Sequence, residues 1–309
     1  MLRVVVLGAA AGGGVPQWNC GCAVCRQARN EHPELRSTQA SIAISADGDH
    51  WFLINASPDL RQQLIATPKL HPRPGTLRHS PISGVILTNG EVDAVAGLLS
   101  MREGSPFTIY AHPRVLAILA TNSIFNVLNE KNVRRQPIEV DKAFEPALPN
   151  GSPSGIEILP FAVPGKGAWY LEGKAHPAGD DGAGDTLGLR IDDKASGKYM
   201  YFLAACANVT NDLRSRLKGA SAIFFDGTVW RDDELTAAGL GNKTGQGMGH
   251  IAMSGESGAI AALANLDIDR KIFLHINNSN PVLLRDSAER KIAEHAGWQI
   301  PTDGMEIVL

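Results

Sequence analysis

The sequence predicts an α/β fold, on three observations. Apolar runs of strand length alternate with helix-like stretches along the whole chain. Of 309 residues, 44% are hydrophobic and 20% charged, which is enough apolar side chain for a large core. Four of the runs end in residues that bind metals or do chemistry, and in α/β sheets ligands gather beyond strand ends.

The first strand is expected at residues 3–7, where Val4, Val5 and Val6 are β-branched and suit a buried strand. Residues 41–44 and 51–54 form a hairpin pair around the turn Asp47-Gly48-Asp49. A helix follows over 58–65, with Ser57 as N-cap and Pro58 at the first helical position. Residues 71–81 hold three prolines and read as a surface loop. Then come a strand at 85–87, a helix at 94–101, a strand at 107–111 and a helix at 113–121. The whole of 1–309 reads as one domain, with a loop-rich insertion around 129–185. Its 166–185 part is rich in Gly, Asp and Ala and reads as a mobile loop near the site. Residues 199–203, 222–225 and 272–274 are strands, and 254–263 a helix opened by Ser254.

Several function classes drop out. With 29 basic and 32 acidic residues the net charge is −3, and a nucleic-acid binder would carry a basic excess. No apolar run approaches the ~20 residues that span a bilayer. The opening residues have too short an apolar stretch for a secretory signal, so a cytoplasmic protein is expected. Three of the four cysteines crowd into six residues, which suits a shared metal ion better than disulfide pairing.

That cluster is Cys20-Gly21-Cys22-Ala23-Val24-Cys25. Zinc takes tetrahedral thiolate ligands, and this spacing delivers three sulfurs from one loop, so a structural zinc on Cys20, Cys22 and Cys25 is predicted. His32 and Asn278 are candidates for the fourth ligand. The strand-end residues come next. Asn89-Gly90-Glu91-Val92-Asp93-Ala94 offers two carboxylates, although acidic residues also simply favour a helix N-terminus. His250 follows a glycine-rich loop, Asp226 ends an apolar run, and His275 closes another before Ile-Asn-Asn-Ser-Asn-Pro. The bland alternative for His275 is a satisfied core histidine. Cys206 reads as a small buried hydrophobe. The glycines at 8 and 12–14 do not open a helix directly, so they form no dinucleotide site and instead let the loop run close to the core of the site.

In this order the motifs resemble the metallo-β-lactamase superfamily, and within it the family of PQQ (pyrroloquinoline quinone) synthesis B proteins. The segments that carry the resemblance are Gly12-Gly13-Gly14-Val15-Pro16-Gln17-Trp18-Asn19-Cys20-Gly21-Cys22, Leu87-Thr88-Asn89-Gly90-Glu91-Val92-Asp93 and Leu274-His275-Ile276-Asn277-Asn278-Ser279-Asn280-Pro281. The resemblance implies a four-layer αβ/βα sandwich of two mixed sheets flanked by helices. The superfamily's hydrolases carry His-x-His-x-Asp-His where this chain has Asn89, Glu91, Asp93 and Ala94, so a water-activating zinc pair loses most of its imidazoles.

What the resemblance implies is iron-dependent hydroxylation of a tyrosine in a Glu-Tyr-derived precursor of PQQ. Glu91, Asp93 and His275 would be ligands of Fe2+, and His250, Asp226 and Asn89 ligands or orienters. Arg61 or Arg231 would hold substrate carboxylates. The rival is a non-catalytic carrier of PQQ or its precursor, and a dinuclear zinc hydrolase stands last. The expected partner is a small peptide-derived molecule, with no nucleic acid and no membrane insertion.

Overall fold

The computed structural model describes residues 1–171 and 182–309. Thirteen strands are described there, in chain order β1 (Arg3–Gly8), β2 (Ser41–Ser45), β3 (Trp51–Ile54), β4 (Ile82–Ile86), β5 (Phe107–Ala111), β6 (Val133–Pro137), β7 (Ile156–Ala162), β8 (Leu187–Asp193), β9 (Tyr199–Leu203), β10 (Ala222–Asp226), β11 (Lys271–Leu274), β12 (Trp298–Gln299) and β13 (Glu306–Val308). They form two mixed sheets, ordered β13-β1-β2-β3-β4-β5-β6 and β12-β11-β10-β9-β8-β7. In the first, β3, β4, β5 and β6 run parallel, and β13, β1 and β2 antiparallel. In the second, β9 to β12 run parallel, and β7 and β8 antiparallel.

The sheets face each other and bury both surfaces. Val4, Val6, Phe52 and Ile54 meet Leu189, Phe202 and Phe224 between the sheets. Val5, Leu7, Trp51 and Leu53 point the other way, into a core shared with the helices α2 (Leu60–Ala66), α3 (Val92–Val95) and α4 (Pro113–Thr121). Outside the second sheet, Ile223, Phe225 and Phe273 pack under α5 (Asn211–Leu217), α8 (Ala259–Ala262) and α9 (Ala288–His295). Burial on both faces is why these strands read as continuous apolar runs rather than alternating ones. The result is the four-layer αβ/βα sandwich. Three further helices, α1 (Ala23–Asn30), α6 (Glu234–Ala237) and α7 (Gly245–Met248), lie outside these layers or near the site.

Several expectations need correction. The expected insertion around 129–185 carries β6 and β7, one edge strand of each sheet, so these two stretches belong to the sandwich itself, with loops around them among the described residues. Residues 172–181 of the expected mobile loop lie outside the described residues. The helix expected from Pro58 begins at Leu60, and the Ser57 hydroxyl donates to Gln63 Oε1 instead of capping. The helix expected at 94–101 is one α-turn followed by a 3-10 turn, Ala96–Met101, where Gly97 packs directly on the backbone of Ala56 and Ser57. Ser254 caps nothing. It donates to Trp230 O, and α8 starts after Gly258.

Candidate metal centre and cleft

The strand ends converge. The tips of β3, β4, β9, β10 and β11 meet where Asn55 clasps Thr88: its Nδ2 donates to Thr88 Oγ1 at 3.0 Å, and the Thr88 N–H donates to Asn55 Oδ1 at 2.9 Å. Leu187 N–H donates to Thr88 O, joining the two sheets at this end. Past β11 the chain turns sharply at His275, whose φ of 58° is left-handed, a conformation a histidine holds only where its surroundings over-determine it.

His275 Nε2 lies 2.8 Å from Asp93 Oδ2, bridging 182 residues of sequence. Its Nδ1 lies 2.9 Å from Thr228 Oγ1. The ring of His250 stacks on it, with centroids 5.1 Å apart and planes at 19°. His250 Nδ1 lies 2.7 Å from Asp226 Oδ2. Ligand atoms of Asp226, His250 and His275 all fall within 4.8 Å of one another. Asp226 is completely buried and fully satisfied: it accepts from the N–H groups of Cys206 and Thr228 and from the Thr228 hydroxyl, besides facing His250. It is therefore built to orient the imidazole rather than to offer free lone pairs.

Burial pushes the Asp93 carboxyl up, but the hydrogen bond and charge of His275 outweigh it and hold the group below its usual value. Burial likewise depresses His275, and Asp93 more than reverses it, so the imidazole sits above its usual value. Glu91 is raised, chiefly by burial and further by Asp93, against the Trp169 N–H that donates to Glu91 Oε1 at 2.7 Å.

These groups line a cleft of about 380 Å³, together with Gly12, Gly13, Gln39, Asn89, Val92, Lys166, Trp169 and Thr186. A Cβ on Gly12 would stand 3.7 Å from Asp93 Oδ2, so the glycine loop does run beside the site. Among the strand-end candidates, the structure brings Asp93, His275, His250 and Asp226 into one hydrogen-bonded group. Glu91 and Asn89 line the same cleft, with Asn89 Oδ1 accepting from the Glu91 N–H. Arg61 and Arg231 do not line it, and Arg231 pairs with Asp233 at 3.3 Å. Lys166 stands there instead, its ammonium donating to Gly247 O. Thr228 and Trp169 gave no signal in the sequence, because a hydroxyl or an aromatic acquires this role only from its neighbours.

The second centre is the cysteine loop. The three sulfurs of Cys20, Cys22 and Cys25 lie within 4.8 Å of one another, a separation a tetrahedral ion with sulfur bonds of about 2.3 Å can bridge. Cys22 and Cys25 donate N–H groups to Cys20 Sγ and Cys22 Sγ, both at 3.4 Å. Asn278 Nδ2 lies 3.3 Å from Cys25 Sγ, and Asn278 O lies 3.4 Å from Cys22 Sγ. His32 is not part of this cluster; it is exposed and pairs with Glu34. Burial pushes the Cys22 thiol up to about 11, while at Cys20 burial is outweighed by hydrogen bonds from Cys22, Cys25 and Asn278, which hold it below its usual value; a bound cation would ionise Cys22 as well. Cys206 is buried, with its thiol pushed by burial to about 12. No helix among the described residues is long and apolar enough to cross a membrane.

Comparison with known proteins agrees with this geometry. The family model for the beta-lactamase superfamily domain matches residues 50–276. The chain is 74% identical over 309 residues to coenzyme PQQ synthesis protein B of Bradyrhizobium diazoefficiens, covering all of both chains. It is 54% identical over 308 residues to the protein of that name from Gluconacetobacter diazotrophicus, covering 99% of each. The crystal structure of Zn(2+)-bound PqqB from Methylobacterium extorquens superposes with a TM-score of 0.91 at 48% identity, over 99% of this chain and 100% of that one. A diphosphatase of the PhnP family shares the fold, with a TM-score of 0.68 at 18% identity over 100% of this chain and 98% of that one. With full-length identities this high and the same overall fold, this chain belongs to the coenzyme PQQ synthesis protein B family of the β-lactamase superfamily.

Proposed function

We propose that this chain acts in PQQ biosynthesis as an iron- and O2-dependent hydroxylase of a tyrosine-derived (Glu-Tyr) precursor, working in the cytoplasm. The observation that supports this is the meeting of Asp93 with His275 beside His250, on a cleft wide enough for a small molecule. Two imidazoles and one carboxylate make the donor set of non-haem Fe(II) oxygenases. Two donors 2.8 Å apart suit neighbouring corners around an ion with bonds of about 2.1 Å. Asp93, His250 and His275 would hold Fe2+, which when bound supplies O2 activation at its open positions.

The remaining work falls to the chain's own groups. Asp226 orients His250 through the 2.7 Å hydrogen bond. Glu91, raised by burial and lining the cleft, takes the phenol proton, since a carboxyl held nearer neutrality is the better base. The Trp169 N–H keeps that carboxylate in place. Lys166 faces the substrate's carboxylates from the cleft wall. Cys20, Cys22 and Cys25, with Asn278 at the fourth corner, hold a structural zinc.

The test is anaerobic loading with Fe2+ followed by O2 uptake with a tyrosine-containing dipeptide, in wild type and Glu91→Ala. A hydroxylase consumes O2 and loses that turnover in the variant. If the iron-loaded wild type takes up no O2, and Glu91→Ala only shifts ligand affinity, the protein is a carrier.

A further inference from the structure

The Thr228 hydroxyl sits at the centre of the polar network behind the cleft. Its Oγ1 is 2.7 Å from Asp226 Oδ1, 2.9 Å from His275 Nδ1 and 3.0 Å from His250 Nδ1. A threonine hydroxyl has one proton to give and two lone pairs to receive with. An ionised carboxylate can only accept, and two oxygens at 2.7 Å repel unless a proton lies between them. The one proton of Thr228 therefore goes to Asp226 Oδ1. The hydrogen bond with His275 must then run the other way, with the ring nitrogen donating to Oγ1. His250 Nδ1 also faces a pure acceptor, Asp226 Oδ2, so that nitrogen carries a proton too. The remaining partners of Asp226, the N–H groups of Cys206 and Thr228, are donors and leave these proton assignments unchanged.

We infer that Thr228 is a positioning residue that keeps a proton on Nδ1 of His275, as Asp226 does for His250, so that both Nε2 atoms are left to face a cation in the cleft. The consequence is visible at Asp93. A carboxylate oxygen 2.8 Å from a lone-pair nitrogen is tolerable only with a positive charge between them, a proton in the metal-free protein or an ion in the loaded one. The site is thus wired from behind to attract a cation at that point. This assignment rests on the metal-centre part of the function proposed above, not on its reaction.

The experiment is two-bond 1H–15N correlation on histidine-labelled protein, zinc-loaded at the cysteines and free of other metal. Wild type and Thr228→Ser are expected to show Nδ1–H for both rings, with His275 carrying a second proton on Nε2 toward Asp93. In Thr228→Val, His275 loses its Nδ1 acceptor and keeps only the Nε2–H. Anaerobic Fe2+ affinity then falls about ten- to a hundred-fold, as for other lost orienting groups, and returns in Thr228→Ser. Zinc stoichiometry stays unchanged, which controls for folding. An unprotonated Nδ1 on His275 in wild type, or wild-type Fe2+ affinity in a folded Thr228→Val, overturns the inference. If the valine variant does not fold, the wild-type and serine spectra still decide it. Expected tautomers without any hydroxylation would sink the reaction and leave this assignment standing.

Discussion

Replacing Asp226 with alanine should be among the most damaging single changes in this protein, and the cost can be worked from its hydrogen bonds. The side chain is 0% exposed and accepts from Cys206 N–H at 2.8 Å, Thr228 N–H at 3.0 Å, Thr228 Oγ1 at 2.7 Å and His250 Nδ1 at 2.7 Å. Thr228 can turn its proton to His275 O, 3.1 Å away, so its hydroxyl is not stranded. The two backbone N–H groups have no such exit, and each buried donor without a partner costs about 1–3 kcal/mol. Removing the acceptor for the His250 imidazole adds to this, so a total of about 3–5 kcal/mol is expected, the range for breaking a buried charged pair. That is a large part of the roughly 5–15 kcal/mol that holds a domain folded. Asp226→Asn keeps one acceptor oxygen but sets an NH2 against a donor, and should cost about half as much. Urea unfolding of the three proteins, compared by midpoint at constant slope, measures this. An alanine variant within about 1 kcal/mol of wild type would refute the reasoning, because the carboxylate could not then be the essential partner of these four donors.

Three other outcomes are expected. In the metal-free protein the Asp93–His275 pair contributes to stability in a defined pH window. Lowered Asp93 adds stability above its unfolded value of 3.8, lost as pH falls through the folded value, and raised His275 adds stability below 6.5, lost as pH rises through its folded value. The melting temperature should therefore fall as pH rises above 6.5, by an increment that Asp93→Asn abolishes. Cys25→Ser should lose the zinc, read by metal analysis. It should also weaken Fe2+ binding, because Asn278, bonded to Cys25 Sγ, stands three residues past His275. Gly97→Ala would put a Cβ 2.1 Å from Ser57 O and should cost about 1–3 kcal/mol or more. Gly90→Ala meets only the mobile Cδ1 of Ile118 and should cost under about 1 kcal/mol in the same urea assay.

Much of the fold was legible because strands buried on both faces leave unbroken apolar runs. Residues 107–111 and 199–203 matched their strands at both ends, and 113–121 its helix. The boundaries that shifted were those where a distant partner competes with a local cap. Ser57 prefers Gln63, and Ser254 prefers Trp230 O, to the helix N–H groups nearby. Within the expected insertion, two stretches, β6 and β7, are edge strands of the sheets. β6 reads Val-Arg-Arg-Gln-Pro, and a half-exposed strand of that composition looks like loop.

The candidate site divides in the same way. Chemistry carried by a residue and its near neighbours could be read directly: three thiols in six residues, carboxylates at 91 and 93, imidazoles at 250 and 275. Which of them meet is a matter of strand order and register, and the energies that set those come from interactions between positions far apart in sequence, 256 residues in the case of Cys22 and Asn278. Hence Asp93 meeting His275, Asp226 being saturated, Lys166 lining the cleft where Arg61 and Arg231 do not, and the Thr228 hydroxyl lying beside two imidazoles emerged only from folding. A hydrogen bond has direction and a reach of about 3 Å, and a linear pattern of residue types encodes neither.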